Sequence, residues 1–168
     1  MKRFLLYVGL GLLLLLFFWY RSRQPRFIAG ETAPDFQVTL ADGKPFRLSD
    51  LHGRFVLLHF WGSWCGPCRE ENPQLVELYD QFHPTGFDIV SIGIERQEPA
   101  WQRAIAKDGM HWPHHSADFR EFDNPVAQQY NVHAIPTTFL INPEGTIMGV
   151  SLNPDQIHKI LAEKLDHN

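Results

Sequence analysis

The stretch FWGSWCGPCREENP, residues 60–73, holds both cysteines of the chain, Cys65 and Cys68, with only Gly66 and Pro67 between them. It overlaps the end of an apolar run, FVLLHFW at 55–61. Three roles compete for such a pair. As half of a structural zinc site it needs two more ligands from elsewhere, since four is the rule. As a staple it is poor, because closing so short a loop removes little entropy from the unfolded chain. A reversible redox pair needs two neighbouring sulfurs and no cofactor. Composition favours that third role.

The pattern on either side predicts the fold. The run at 55–61 is apolar at nearly every position, as in a strand buried on both faces. A helix is expected over 65–82, with Leu75, Val76, Leu78, Tyr79 and Phe82 on one face and a kink at Pro73. FDIVSIGI at 87–94 reads as a second buried strand. A helix over 99–107 closed by Gly109, a short segment at 111–117 and a helix over 125–130 follow. TTFLIN at 137–142, a Pro143-Glu144-Gly145 turn and a partner strand at 146–152 make a hairpin. A last helix starts at Asn153 as N-cap with Pro154 behind it. Upstream, Phe36, Val38 and Leu40 alternate, Asp42-Gly43 marks a turn, and Phe46 and Leu48 resume, which predicts a β-hairpin. Ser49 is expected to cap a short turn after it. Strands alternating with helices and ending in a hairpin imply an α/β fold with a mixed sheet.

The N-terminus is a different kind of sequence. Residues 4–20 are apolar throughout, flanked by Lys2 and Arg3 before and by Arg21, Arg23 and Arg26 after. Seventeen helical residues rise about 26 Å, near the lower limit for a bilayer core. Trp19 and Tyr20 stand where interfacial aromatics belong. No small-x-small cleavage site follows, so an uncleaved membrane anchor over residues 1–26 is expected, then a tether at 27–32 and one domain over 33–168. The basic residues balance across the run, so charge alone does not orient it. Residues 27–168 carry ten Lys/Arg against nineteen Asp/Glu, a net charge of −9. That balance leaves no basic footprint for nucleic acid.

A strand that feeds Cys-x-x-Cys into a helix puts Cys65 at the helix N-terminus. Exposed N–H groups and the positive end of the helix dipole favour the thiolate there. Cys65 is therefore the expected nucleophile, and Cys68, one turn further in, the resolving thiol.

At this level of detail the chain resembles the thioredoxin superfamily, in its membrane-anchored branch of TlpA-like and ResA-like proteins. The motifs are APDF at 33–36, LSDLHGR at 48–54, WCGPC at 64–68, Pro73, and IPTTFLINPEG at 135–145. The resemblance implies a thioredoxin fold with an N-terminal β-hairpin extension and a central strand–helix insert, and one N-terminal transmembrane helix. It implies that Pro136 is a cis-proline facing the cysteines, with the backbone of Ile135 free to pair with an extended substrate. Trp61 and Trp64 are expected to flank the active-site surface as an apolar patch for docking, with structural packing the alternative for Trp61. It also implies a thiol–disulfide oxidoreductase at the bacterial inner membrane with its domain in the periplasm. Its partners would be proteins carrying disulfides, as in cytochrome c maturation, and a membrane thiol-transport protein as electron donor. Gly-Pro between the cysteines matches thioredoxin, a reducing protein with a potential of about −270 mV, so a reductant is expected.

Thioredoxin has a buried aspartate six residues before its nucleophile, where this chain has His59. The TlpA-like branch often places an acid after the next strand, where Glu95 stands here, so Glu95 is the candidate proton shuttle. His59 is either a core residue or a second candidate, able to relay a proton only near neutral pH. Peroxiredoxins share the APDF start, but the proline and hydroxyl of their Pro-x-x-x-Thr/Ser-x-x-Cys site fall here on Leu58 and Gly62. A copper-handling module built on Cys65, Cys68 and a histidine is the other rival, since soft thiolates suit Cu(I). The imidazoles of HWPHH at 111–115 read as surface histidines, and no metal is assigned to them.

Overall fold

The computed structural model describes residues 2–22 and 27–165. Helix α1 (Lys2–Ser22) comes first, then strands β1 (Gln37–Thr39) and β2 (Pro45–Arg47), β3 (Phe55–Trp61) and helix α2 (Gly66–Phe82). They are followed by β4 (Phe87–Gly93), α3 (Glu98–Asp108), β5 (His114–Ala117), α4 (Pro125–Gln129), β6 (Thr137–Ile141), β7 (Ile147–Val150) and α5 (Pro154–Leu165).

Five strands form one sheet in the order β5-β4-β3-β6-β7. β3, β4 and β5 run parallel, and β6 and β7 are antiparallel to their neighbours. β3 and β4 are central, which is why their sequences are apolar without alternation. Odd and even positions of β3 feed different cores. Leu57 and Trp61 pack with α2, α3 and α5, while Val56, Leu58 and Phe60 pack with α4, the β1–β2 hairpin and the aromatic cluster of Phe36, Tyr130 and Phe139. β5 and α3 form the expected insert between β4 and α4.

Local signals acted where they stood. Gly43 turns the hairpin at φ +83, and Val38 pairs with Phe46 across it. Asn153 and Gln156 exchange side-chain and backbone hydrogen bonds at the start of α5, a reciprocal cap. Ser49 is not a cap. The short 3₁₀ turn Leu48–Leu51 begins at Arg47, whose N–H donates to Asp50 at 2.8 Å, and the Ser49 hydroxyl turns instead to Asp35 at 2.8 Å. Pro73 lies within α2, which runs through it as one helix.

Both sheet edges are covered, as exposed strand edges invite pairing with other chains. The hairpin closes on β5 through Ala41 N–H to His115 O at 2.8 Å and Ser116 Oγ to Thr39 O at 2.8 Å. On β7, Thr32 bridges Thr146, and Gly30 N–H donates to Ile147 O at 2.8 Å. The ring of Phe27 packs against Tyr130 with centroids 5.6 Å apart. Ordered packing therefore starts within the stretch 27–32 expected as tether.

The side chains described in α1 belong to Tyr7 and residues 9–20, and Leu12 to Tyr20 are all exposed. Among the described residues no helix is long and apolar enough to cross a membrane. The side chains of Lys2, Arg3, Phe4, Leu5, Leu6, Val8 and Arg21, and the whole of Arg23 and Arg26, lie outside the described residues.

Candidate active site

Cys65 is the N-cap of α2, in extended conformation, and Pro67 occupies the first turn, where a missing N–H costs nothing. The Cys65 sulfur accepts the N–H of Cys68 at 3.2 Å, so a helix-terminal donor already points at the atom that would carry negative charge. The two cysteines form a disulfide with S–S 2.08 Å. Cys68 is fully buried against α2's core face, whereas Cys65 keeps 5% of its surface open.

The loop 132–136 lies against the pair. The carbonyl oxygen of Ile135 sits 3.8 Å from Cys65 Sγ, and the Ile135–Pro136 peptide is cis. Gly62 lies at a point where the chain must be thin. A Cβ there would come within 2.8 Å of Trp64 Nε1 and 3.1 Å of both Ile135 Cδ1 and Ile94 O. Trp64 is 55% exposed, with its indole N–H donating to Ile94 O at 2.7 Å, so its ring is held while its face stays open. Phe122 meets it edge-on at 6.5 Å. Trp61 does not share that surface. It is fully buried behind the sheet.

Glu95 stands just past the end of β4 with 1% of its surface exposed. Its carboxylate accepts the N–H of Ser63 and, at 2.9 Å, the Ser63 hydroxyl. Burial pushes its pKa up, opposed by the two Ser63 hydrogen bonds and the charge of Arg69, and helped by Glu121. Ser63, Trp64, Glu95 and Glu121 line an open cavity of about 510 Å³. This is a buried carboxyl tied to Ser63, two residues before Cys65, in the wall of that cavity. Such a group can store a proton and release it.

His59 is fully buried in the middle of β3, its Nδ1 3.4 Å from Ser91 Oγ. Burial, with a smaller contribution from His115, holds its pKa down to about 3. Burial therefore favours its neutral form. The histidines of 111–115 diverge. His111 is exposed and bonds Asp80 at 2.8 Å, His114 turns to Asp88 at 3.2 Å, and buried His115 reaches Met110 O at 3.2 Å. His114 and His115 are successive strand residues, so they leave the sheet on opposite faces. Among the described residues no three metal-ligating groups converge.

Sequence reasoning picked out Cys65, Cys68, Trp64, Glu95, Ile135 and Pro136, and all six meet around one end of the sheet. It missed Ser63 and Phe122. Ser63 was visible as a hydroxyl two positions before the cysteine, but only the register of β3 against β4 shows what it bonds.

The family model described as AhpC/TSA family matches residues 29–150. The chain belongs to the AhpC/TSA family. The thiol-disulfide oxidoreductase ResA of Bacillus subtilis is 37% identical over 121 residues, 72% of this chain and 65% of ResA. The ResA of Geobacillus kaustophilus is 36% identical over 118 residues, 70% of this chain and 66% of its own. The chain thus spans just under two thirds of the length of these relatives. The thioredoxin domain of a thiol-disulfide oxidoreductase from Bacteroides vulgatus superimposes with TM-score 0.75 at 28% identity, covering 83% of this chain and 99% of that domain. The AhpC/TSA domain here is a thioredoxin-like α/β fold with a mixed sheet. Within it, the positions that would shape a peroxide pocket hold Leu58, which is fully buried, and Gly62, which has no hydroxyl.

Proposed function

We propose that this protein is a membrane-anchored thiol–disulfide oxidoreductase that reduces disulfides in extracytoplasmic partner proteins. The observation that carries the chemistry is the Cys65–Cys68 disulfide at the N-terminus of α2, with Cys65 at the helix cap and Cys68 fully buried one turn in. In the reduced protein the Cys65 thiolate attacks one sulfur of the partner's disulfide. A Cys65–partner mixed disulfide forms, and the partner's other sulfur leaves as a thiolate that takes up a proton. Cys68 then gives up its proton and attacks the Cys65 sulfur. The intramolecular disulfide forms again, the second partner sulfur is released, and the partner has gained two electrons. Glu95 is the proton acceptor for Cys68 in this reading, supported by its burial and raised pKa. Trp64 and the Ile135 backbone receive the partner segment. A membrane thiol-transport protein restores the reduced state.

Anchoring rests on the apolar run at 4–20 and on the exposed Leu, Phe, Trp and Tyr side chains described in α1. The periplasmic side of the inner membrane rests on the motifs shared with the membrane-anchored TlpA-like and ResA-like branch, and cytochrome c maturation, outer-membrane or secreted proteins and copper-site cysteines are the candidate substrates. The reducing direction rests on the Gly-Pro pair between the cysteines. The test is reduction of insulin by the full chain in detergent with dithiothreitol as electron source. Activity in the native protein and none in Cys65→Ser supports the reading. Equal activity in both would end it. For the anchor, the protein should stay with membranes through alkaline carbonate, and protease added to spheroplasts should digest the domain. Protection of the domain would put it on the cytoplasmic side.

A further inference from the structure

The residue before Trp64 is held from two sides. Glu95 takes the N–H and hydroxyl of Ser63, and the Ser63 carbonyl accepts from Arg69 Nη1 at 3.3 Å. Arg69 lies one turn along α2 from Cys65, and its backbone N–H donates to Cys65 O at 3.1 Å. Its guanidinium is not free to move. Two of its nitrogens fork onto Asp108, with Nη2 to Oδ1 at 2.6 Å, and Asn72 Nδ2 donates to the same carboxylate at 2.8 Å. Asp108 is the last residue of α3, and its side chain is 8% exposed. A partly buried, bidentate pair of this kind is geometrically stiff in a way that exposed ion pairs are not.

We propose that Arg69 is a positioning residue for the exchange reaction: seated on Asp108, it clamps the Ser63 carbonyl opposite Glu95, so that the end of α3 fixes the loop carrying Trp64 and Cys65. This assignment rests on Cys65 as the attacking sulfur and concerns the geometry around it. The insert thereby acquires a role in the site.

The same charges bear on Glu95. Arg69 faces it from α2, Asp108 stands behind Arg69 on α3, and Glu121 faces it from the turn before α4, with Arg96 paired to Glu121 at 2.7 Å. Removing the positive charge at 69 should make Glu95 harder to ionise. Removing the negative charge at 108 should make it easier, because Arg69 is then less neutralised.

The experiment uses the full chain in detergent, labelled with ¹³C at glutamate carboxyls, with the Glu95 signal assigned by its loss in Glu95→Gln. Arg69→Met should move the Glu95 titration to higher pH, and Asp108→Asn should move it to lower pH. Both should slow insulin reduction by about tenfold, the loss of one charged hydrogen bond. Arg69→Lys should restore the titration but not the rate, since an ammonium carries the charge without forking onto Asp108 and Ser63 together. Titrations that move the same way in Arg69→Met and Asp108→Asn, or stay at the native value, would overturn the proposal, as would full rescue of the rate by lysine. The titration is read whether or not the protein reduces insulin, so failure of the oxidoreductase reading shows separately, as activity retained in Cys65→Ser.

Discussion

β4 carries a buried carboxylate near each end, and the two are treated in opposite ways. Asp88, near its start, is 3% exposed and faces one arginine and two histidines. Arg54 Nε lies 3.2 Å from Oδ2, His114 Nδ1 3.2 Å from Oδ1 and His83 Nδ1 3.7 Å from Oδ2. Glu95, just past its end, is 1% exposed and has neutral donors only, the N–H and hydroxyl of Ser63. A buried charge met by opposite charge is a structural element, costly to break. A buried carboxyl met by neutral dipoles has its pKa raised by burial, against the hydrogen bonds of Ser63 and the charge of Arg69 that lower it. The first belongs to the closed bottom of the sheet, the second to the end that opens on a cavity beside the disulfide.

The largest expected effect lies at the open end. Cys65→Ser should abolish insulin reduction, whereas Asp88→Asn should leave turnover per folded molecule unchanged. Loss of activity in Asp88→Asn at temperatures where it is folded would break the division between the two ends. Stability should divide the other way. Asp88→Ala strands Arg54 and His114, and a loss of about 3 kcal/mol is expected from urea unfolding. Glu95→Gln keeps an acceptor for Ser63 and removes a charge that burial penalises, so it should cost less than about 1 kcal/mol, while slowing release of the mixed disulfide.

His59, midway along β3, sharpens the contrast through pH. Its folded pKa is depressed to about 3 from an ordinary 6.5, so the unfolded chain binds a proton in that window and the folded chain does not. Its stabilising contribution is full above pH 6.5 and falls as pH drops towards 3, by about 1 kcal/mol between pH 7.5 and 5.5. His59→Leu should remove its share of that slope and leave the share of His115, whose pKa burial also lowers, to about 4. Glu95 has the opposite sign. Its pKa is raised, so its contribution worsens as pH climbs from the usual carboxylate range towards its folded value, and Glu95→Gln should remove that slope. The smallest stability effect belongs to Trp64→Ala, within about 0.5 kcal/mol because the ring is more than half exposed. It should raise the KM for a protein disulfide and leave a small disulfide unaffected, and equal effects on both would remove Trp64 from the docking surface.

What could be read from the sequence was everything encoded within a few residues. Cys-Gly-Pro-Cys behind an apolar strand placed a sulfur at a helix N-terminus, Asp42-Gly43 turned a hairpin, Asn153-Pro154 started a helix, and Gly109 ended one. These follow from dihedral preferences and from donors left over at helix ends, which do not depend on the rest of the chain. Resemblance carried the reading further, to Glu95, Ile135 and Pro136. Ser49 failed as a cap because Asp35, fourteen residues away, competes for its hydroxyl.

Tertiary structure alone decided the partners. Ser63 meets Glu95 across 32 positions, Arg69 meets Asp108 across 39, and Cys65 meets Ile135 across 70. The three clustered histidines of 111–115 part company because β5 turns alternate side chains to opposite faces. Asp88 gathers its basic partners because β3 and β5 flank β4 in register. Register and layer order are set by which apolar faces can be buried together, a property of the whole sheet, and the charge state of a buried group follows only once its neighbours are in place.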